Sequence, residues 1–386
     1  MALEYLTPIS DTAVAHAKMQ DQQALGNNIL LHSNQDGLPD LDQIDIAIIV
    51  VLENRNDLNA MSPLSSVDAV RTAFYELFPG NWPTRIVDLG NVLPGESVTD
   101  TYFVVQKITE FLIDQDIIPV IIGGSQDLMY PMYRSFDSIK SMINVVNVDN
   151  CFDLGNIEES ITSRSYIGKM VANEPYNLFN YSNLGFQTYY NSQDEIDLLE
   201  RMYFDAIRLG ELDADIKLAE PILRDADLIG FDLKSVKAAD LQNPNGEPNG
   251  FSSAQLCSLS RYSGLSDRLK AVGFFELFDG ISLAGSKVIA QALWYFIEGY
   301  SYRSGEYPID INRGFKKYKV PVDDQTLIFY ESSKTGRWWI ELPFISNLNN
   351  KLKQYTLLPC DKNDYLMAAD QILPKRWLKA RQKNEV

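Results

Sequence analysis

The chain has 386 residues, 45% of them hydrophobic, which is enough for one large domain with an appendage. Its 52 Asp+Glu against 34 Lys+Arg leave a net charge of −18. A field of that sign repels phosphate backbones and anionic bilayers, so nucleic acid and membranes are excluded as partners.

In chain order, Met1-Ala2-Leu3-Glu4-Tyr5 places an acid where a signal peptide needs a base. Residues 1–43 read as a polar N-terminal segment with a helix over 11–25. The run Ile44-Asp45-Ile46-Ala47-Ile48-Ile49-Val50-Val51 reads as a strand buried on both faces. A helix follows over 66–77, with Val67, Val70, Phe74 and Leu77 at helical spacing, and stops at Pro79-Gly80. A strand is predicted over 85–89, a helix over 99–113 and a strand over 117–122 that runs into Gly123-Gly124. Strands over 143–148, 184–188, 228–233 and 271–275 come next, and a helix over 285–300. No apolar run approaches the ~20 residues of a membrane helix. Cys151, Cys257 and Cys360 are widely spaced and form no CxxC pair, which suits a reducing compartment. A soluble, cytoplasmic protein is expected.

Strands alternating with helices imply a mostly parallel sheet covered on both faces over 44–304. In such sheets ligands bind beyond the carboxyl ends of the strands. Polar clusters fall there: Ser125-Gln126-Asp127, Asp149 to Asp153, and Asp232. Residues 305–386 form an extension of different character. Leu327-Ile328-Phe329-Tyr330-Glu331 and Arg337-Trp338-Trp339-Ile340-Glu341-Leu342 flank a Gly-bearing loop and read as a hairpin. With Phe344, these aromatics are too apolar for a disordered tail, so the extension is expected to pack on the body. A helix over 361–372 and a basic, solvated helix end carrying Lys375, Arg376, Lys379, Arg381 and Lys383 close the chain.

In extended chain, alternate residues share a face, so Asp149, Cys151 and Asp153 can project into one pocket. Asp232 and Lys234 obey the same rule. Carboxylates converging at neighbouring strand ends suit a hard divalent cation. They serve equally as acceptors in turns and caps.

The ordered set Gly-Gly-x-x (123–126), Asp-x-x-Phe-Asp-Leu (149–154), Phe-Asp-Leu-x-Ser (231–235) and Phe-Phe-Glu-Leu (274–277) resembles the arginase, or ureohydrolase, superfamily. In wording it is most similar to formimidoylglutamase. The Pro/Gly-rich stretch 244–252 resembles the loop those proteins carry before a Ser or Thr. The resemblance spans roughly 44–300. It implies a three-layer α/β fold with a mostly parallel central sheet, here with a hairpin-containing C-terminal extension, and it allows a homo-oligomer. In active members six side chains hold two Mn2+ ions sharing a hydroxide that attacks a guanidinium or formimino carbon. Mapped by motif, Asp149, Asp153 and Asp232 match ligand positions. Gln126 and Cys151 stand where histidines should be, and Lys234 where an aspartate should be. Glu276 matches the acid placed near the substrate. The chain has only two histidines, His16 and His32, both ahead of the first core strand.

Clustered carboxylates without metal repel by about 4 kcal/mol per pair at ~4 Å in an effective dielectric near ~20. An ammonium among them would offset that and would repel Mn2+. Lys234 is therefore expected within ion-pair reach of Asp149, Asp153 or Asp232; pointing to solvent is the alternative. Cys151 reads as a small buried residue, with a nucleophile or soft-metal ligand as the competing role. The leading functional reading is a catalytically inactive or altered arginase-like protein that binds or scaffolds, with no cofactor. The alternative is a hydrolase of a linear amidine or guanidino C–N bond at an atypical site of Asp149, Asp153 and Asp232 with Mn2+. A third is a structural role in a complex, with an unnamed protein partner held through the C-terminal extension.

Overall fold

The β-branched runs become strands in the computed structural model, which describes residues 2–60, 62–65, 67–139, 142–306, 313–343 and 357–385. In chain order they are β1 (Leu30–Leu31), β2 (Ile46–Val51), β3 (Ile86–Val92), β4 (Ile118–Ile122), β5 (Ile143–Val148), β6 (Leu178–Phe186), β7 (Asp205–Arg208), β8 (Leu228–Asp232) and β9 (Ala271–Phe275). They form one nine-stranded sheet in the order β1-β3-β2-β4-β9-β8-β5-β6-β7. Every pairing in it is parallel.

Strand alternation divides the core between the two faces. Ile46, Ile48 and Val50 pack with Val70, Phe74, Ile289 and Phe296 from the helices Asp68–Tyr75 and Leu283–Ser301. Ala47, Ile49 and Val51 face the other way, against Val105, Ile108 and Leu112 of the helix Val98–Asp114. Each such aliphatic side chain contributes about 1.5–3 kcal/mol by leaving water. Serines start these helices: Ser97 and Ser282 accept from backbone amides of the first turn.

Several elements differ from expectation. The helix over 11–25 divides into Asp11–Met19 and Leu25–Asn28, because the Asp21 carboxylate takes the Gln23 amide at 2.8 Å in a competing turn. The helix over 66–77 runs Asp68–Tyr75; residue 66 lies outside the described residues. Within the N-terminal segment, Leu30–Leu31 joins the sheet edge beside β3. The strand expected over 184–188 begins instead at Leu178, where Asn180, Ser182 and Asn183 hide the apolar pattern. The short, polar β7 carried no period that could be read.

The C-terminal extension is a four-stranded antiparallel sheet ordered β10 (Phe315–Val322), β11 (Gln325–Ser332), β12 (Trp338–Glu341) and β13 (Leu357–Cys360). The expected hairpin is its middle pair, with Tyr330 opposite Trp339. Phe344 lies outside the described residues. The inner face, including Val320, Phe329, Trp338 and Ile340, packs with Ala368 and Trp377 from the helices Lys362–Ala369 and Lys375–Glu385.

The basic helix end expected to be solvated instead lies against the body. Trp377 is 2% exposed, and Lys379 Nζ donates to Phe204 O at 2.8 Å. Arginine and lysine stems can line apolar surface while their heads reach acceptors. Arg224 Nη2 donates to Trp338 O and Cys360 O, both at 3.2 Å, and its guanidinium lies over the Trp339 ring. Arg376 pairs with Asp205, the first residue of β7. The extension thus packs at the amino end of β7 and on the helix Glu220–Arg224 that precedes β8, away from their carboxyl ends. No helix among the described residues is long and apolar enough to cross a membrane.

Candidate functional site

Four consecutive strands of the sheet, β4, β9, β8 and β5, end in the residues singled out by sequence. Asp149 follows β5, Asp232 ends β8, Glu276 follows β9, and Gln126 lies just beyond β4. The register places Val148 beside Phe231 and Asp232 beside Phe275, so Asp149, Asp232 and Glu276 emerge at nearly one level. The turn after β4 needs glycine: Gly124 sits at φ +73°, and a Cβ there would lie 2.5 Å from Glu53 O. Its carbonyl accepts from the Glu276 amide at 2.8 Å, which ties two strand ends together. Asp153 and Glu276 are themselves non-glycine residues at positive φ, 54° and 61°. Such backbone is uncommon for residues other than glycine.

All of these groups are buried: Gln126 and Asp149 at 0%, Asp153 and Cys151 at 3%, Glu276 at 4% and Asp232 at 6% exposure. Asp149 Oδ2 and Asp153 Oδ1 accept no hydrogen bond among the described residues. Burial pushes both carboxyls up, and for Asp149 the neighbouring charges of Asp153 and Asp232 add to it. A like charge nearby disfavours ionisation, so Asp149 leans toward its neutral form. Arg164 Nη1 reaches Asp153 Oδ1 at 3.5 Å and balances the charge that remains. Asp232 is pushed up to about 6 by burial, against the pull of Lys234; its Oδ1 accepts the Lys234 amide at 2.6 Å.

Lys234 does not pair with Asp149, Asp153 or Asp232, as the sequence led one to expect. Its ammonium contacts Glu276 Oε2 and Asp57 Oδ1, the latter at 2.8 Å. The backbone turn after β8 swings the side chain toward the end of β9 and the loop after β2. Burial works against the charged lysine, but Glu276, Asp232 and Asp57 hold its pKa above the ordinary value, so the proton stays on the lysine. The solvent-facing alternative fails too, since the side chain is only 23% exposed.

Gln126 donates from its backbone to Glu276 Oε1 at 2.8 Å and from its side chain to Tyr166 OH at 3.2 Å. The Cys151 thiol, pushed up by burial and by Asp149 and Asp153, donates to Asn150 Oδ1 at 3.1 Å. It is a protonated, poor nucleophile.

Asp57 and Arg164 were missed because both lie in aperiodic loops. Position was the one available signal for Asp57, since it follows β2 at the carboxyl end of the sheet. Above the cluster opens a cleft of about 440 Å3 lined by Asn59, Asn150, Arg164, Lys234, Asn245 and Glu247, among others.

The resemblance to the arginase superfamily implies manganese, which needs several donors converging on one point. Among the described residues no group of three or more His, Cys, Asp or Glu side chains could hold a metal ion. Two cations of the chain, Lys234 and Arg164, already face the carboxylates. Neither histidine is near: His16 contacts Glu76 at 3.2 Å, and His32 contacts Leu89 O at 2.9 Å within β3.

No family model and no curated protein matches the chain by sequence. Solved structures do match by shape. Trypanosoma cruzi formiminoglutamase with Mn2+ superposes with a TM-score of 0.63 at 14% identity, over 74% of this chain and 100% of that one. Formimidoylglutamase from Bacillus subtilis gives 0.62 at 16% identity, over 69% and 90%. A hypothetical agmatinase from Burkholderia thailandensis gives 0.57 at 16%, over 69% and 89%. The chain therefore has the fold of the arginase superfamily.

Proposed function

We propose that this is an arginase-fold protein in which an internal ion-pair network stands in for the metal centre, and that it acts by binding rather than by metal-dependent hydrolysis. The observation that carries this is the Lys234 ammonium seated between Glu276 and Asp57. A fixed cation there repels Mn2+, and it occupies the acid that resemblance assigns to a cationic substrate. Arg164 beside Asp153, and burial that favours the neutral form of Asp149, offset the rest of the negative charge. What remains accessible is a polar cleft of a size that holds a small molecule. The test is elemental analysis of the purified protein, with assays for ammonia, urea and formamide release from guanidino and formimino compounds. Substoichiometric manganese and no release are expected. About two Mn per chain, with turnover, would overturn the proposal.

A second reading, hydrolysis with an atypical metal site, is favoured by one observation. The carboxyls of Asp149, Asp153 and Asp232 interact with one another, and converging carboxylates are the donors a hard cation takes. On this reading Mn2+ raises the melting temperature of the wild type by mass action. On the binding reading it does so only after Lys234→Asp restores a carboxylate.

A further inference from the structure

A second cleft, of about 480 Å3, opens at the carboxyl ends of β6 and β7, beside the one described above. Its wall includes Gln187, Arg208, Glu211, Asp213, Lys237 and Asn249. Gln187 directly follows β6, Arg208 ends β7, and Lys237 follows the turn after β8. The segment that carries Asn249 is pinned beside Lys237: Lys237 N donates to Phe251 O at 2.9 Å, and Phe251 N to Ser235 O at 2.8 Å. Gly250 makes that approach possible, since a Cβ there would sit 2.4 Å from Ser235 O.

Three features of this cleft have no use in the fold. Arg208 and Lys237 form no ion pair among the described residues, although the protein carries a net charge of −18. The two acids alongside each hold a hydrogen bond: Glu211 Oε1 accepts the Arg208 backbone amide at 3.3 Å, and Asp213 Oδ1 accepts Gln255 Nε2 at 3.1 Å. Gln187 is only 5% exposed, lines the cleft, and has no hydrogen-bond partner for its side-chain amide among the described residues. Its amide atoms reach the solvent of the cleft, so an occupant can bond to them.

We propose that this cleft binds a small organic anion, with Arg208 and Lys237 holding its carboxylate or phosphate oxygens and the Gln187 amide bonding to a neighbouring polar group. A guanidinium fork and an ammonium converging on anionic oxygens form charge-assisted bonds, the strong class of hydrogen bond. A volume of this size accommodates a metabolite and is too small for a folded partner. The site is separate from the ion-pair cluster, so it stands whether or not that cluster binds metal.

The test is titration calorimetry with succinate and with inorganic phosphate, at ionic strength held constant with sodium chloride. Saturable binding of at least one anion is expected; succinate alone would mark a carboxylate ligand and phosphate alone a phosphorylated one. Arg208→Gln and Lys237→Gln should each weaken it by about tenfold or more. Lys287→Gln, an exposed lysine outside both clefts, should leave it unchanged. As a measurement that needs no variant, the bound anion should protect Lys237 from acetylation, read by mass spectrometry. Absence of saturable binding by both anions, binding retained in the Arg208→Gln/Lys237→Gln double variant, or an unprotected Lys237 would overturn the proposal.

Discussion

Lys234 shows how one side chain changes the chemistry of a strand end. Its ammonium is wedged between Glu276, which is 4% exposed, and Asp57. Removing one member of a buried ion pair leaves the other uncompensated, at a cost of about 3–5 kcal/mol. Lys234→Ala should therefore destabilise by that order in denaturant unfolding, and adding Glu276→Gln should recover part of the loss. A variant that unfolds with the wild type would show that the pair contributes nothing. Lys383, on the last helix, makes the opposite case. Its ammonium lies over the Phe204 ring at 4.9 Å, and its pKa is pushed down to about 8 by burial; Asp205 opposes this, and Lys379 and Arg376 add to it. An unfolded lysine titrates near ~10.4, so the unfolded chain binds the extra proton between those values. Stability is thus present above the unfolded value and lost as pH falls through about 8. Lys383→Met should raise stability by about 1–2 kcal/mol at neutral pH, after screening is allowed for, and by nothing near pH ~10.5. An equal gain at both pH values would assign the effect to packing alone.

At the scale of elements, the terminal helix Lys375–Glu385 does what its polar sequence conceals. Among the described residues of this helix only Trp377 is deeply inserted, and its indole N–H donates to Glu341 O at 2.9 Å. That single residue clamps the helix onto β12. Trp377→Ala removes the largest side chain of the contact and leaves the Glu341 carbonyl without its donor; a loss of about 3–5 kcal/mol is expected for the extension. Limited proteolysis should then release the helix first while the nine-stranded body stays intact. Simultaneous loss of the body would mean that the two unfold as one unit. The four strands of the extension also show why the hairpin alone was legible. β11 and β12 are rich in aromatic and β-branched residues, whereas the β10 sequence Phe-Lys-Lys-Tyr-Lys-Val-Pro-Val carries the lysines and proline that guard an edge strand against further pairing.

Over the whole molecule, charge is unevenly divided. Residues 305–386 carry 14 Lys+Arg against 10 Asp+Glu, while residues 1–304 carry 20 against 42. A basic extension therefore lies on an acidic body, joined by Arg337–Glu220 at 3.3 Å and Arg376–Asp205 at 3.6 Å. Screening shortens the reach of such attraction from ~10 Å at ~0.1 M salt to ~3 Å at ~1 M. Raising salt should accordingly make the extension more susceptible to protease while the melting temperature of the body changes little. Equal susceptibility at low and high salt would place the docking energy in the apolar and hydrogen-bonded contacts around Arg224 and Trp339. The same acidity makes the cations at the carboxyl ends informative, because Arg164, Lys234, Arg208 and Lys237 gather on the face where ligands of such sheets bind.

By itself the sequence determined the parallel sheet and the strand ends that build the site. Near-continuous runs such as 46–51 and 143–148 bury both faces of a strand, and polar residues immediately after them fall at one end of the sheet. The identities of Gln126, Cys151 and Lys234, together with the scarcity of histidine, were equally plain from composition. Which charges meet was not. Glu276 and Asp57 are distant from Lys234 in the chain, and whether its side chain turns toward Asp232 or away is set by a backbone turn and the packing of neighbouring strands. Tertiary structure alone brought in Arg164, set Asp149 near Asp153 and Asp232, and placed Gln187 on the wall of the second cleft. Hydrophobic periodicity is a property of each segment, whereas pairing between charged groups depends on distances that exist only once the sheet has formed.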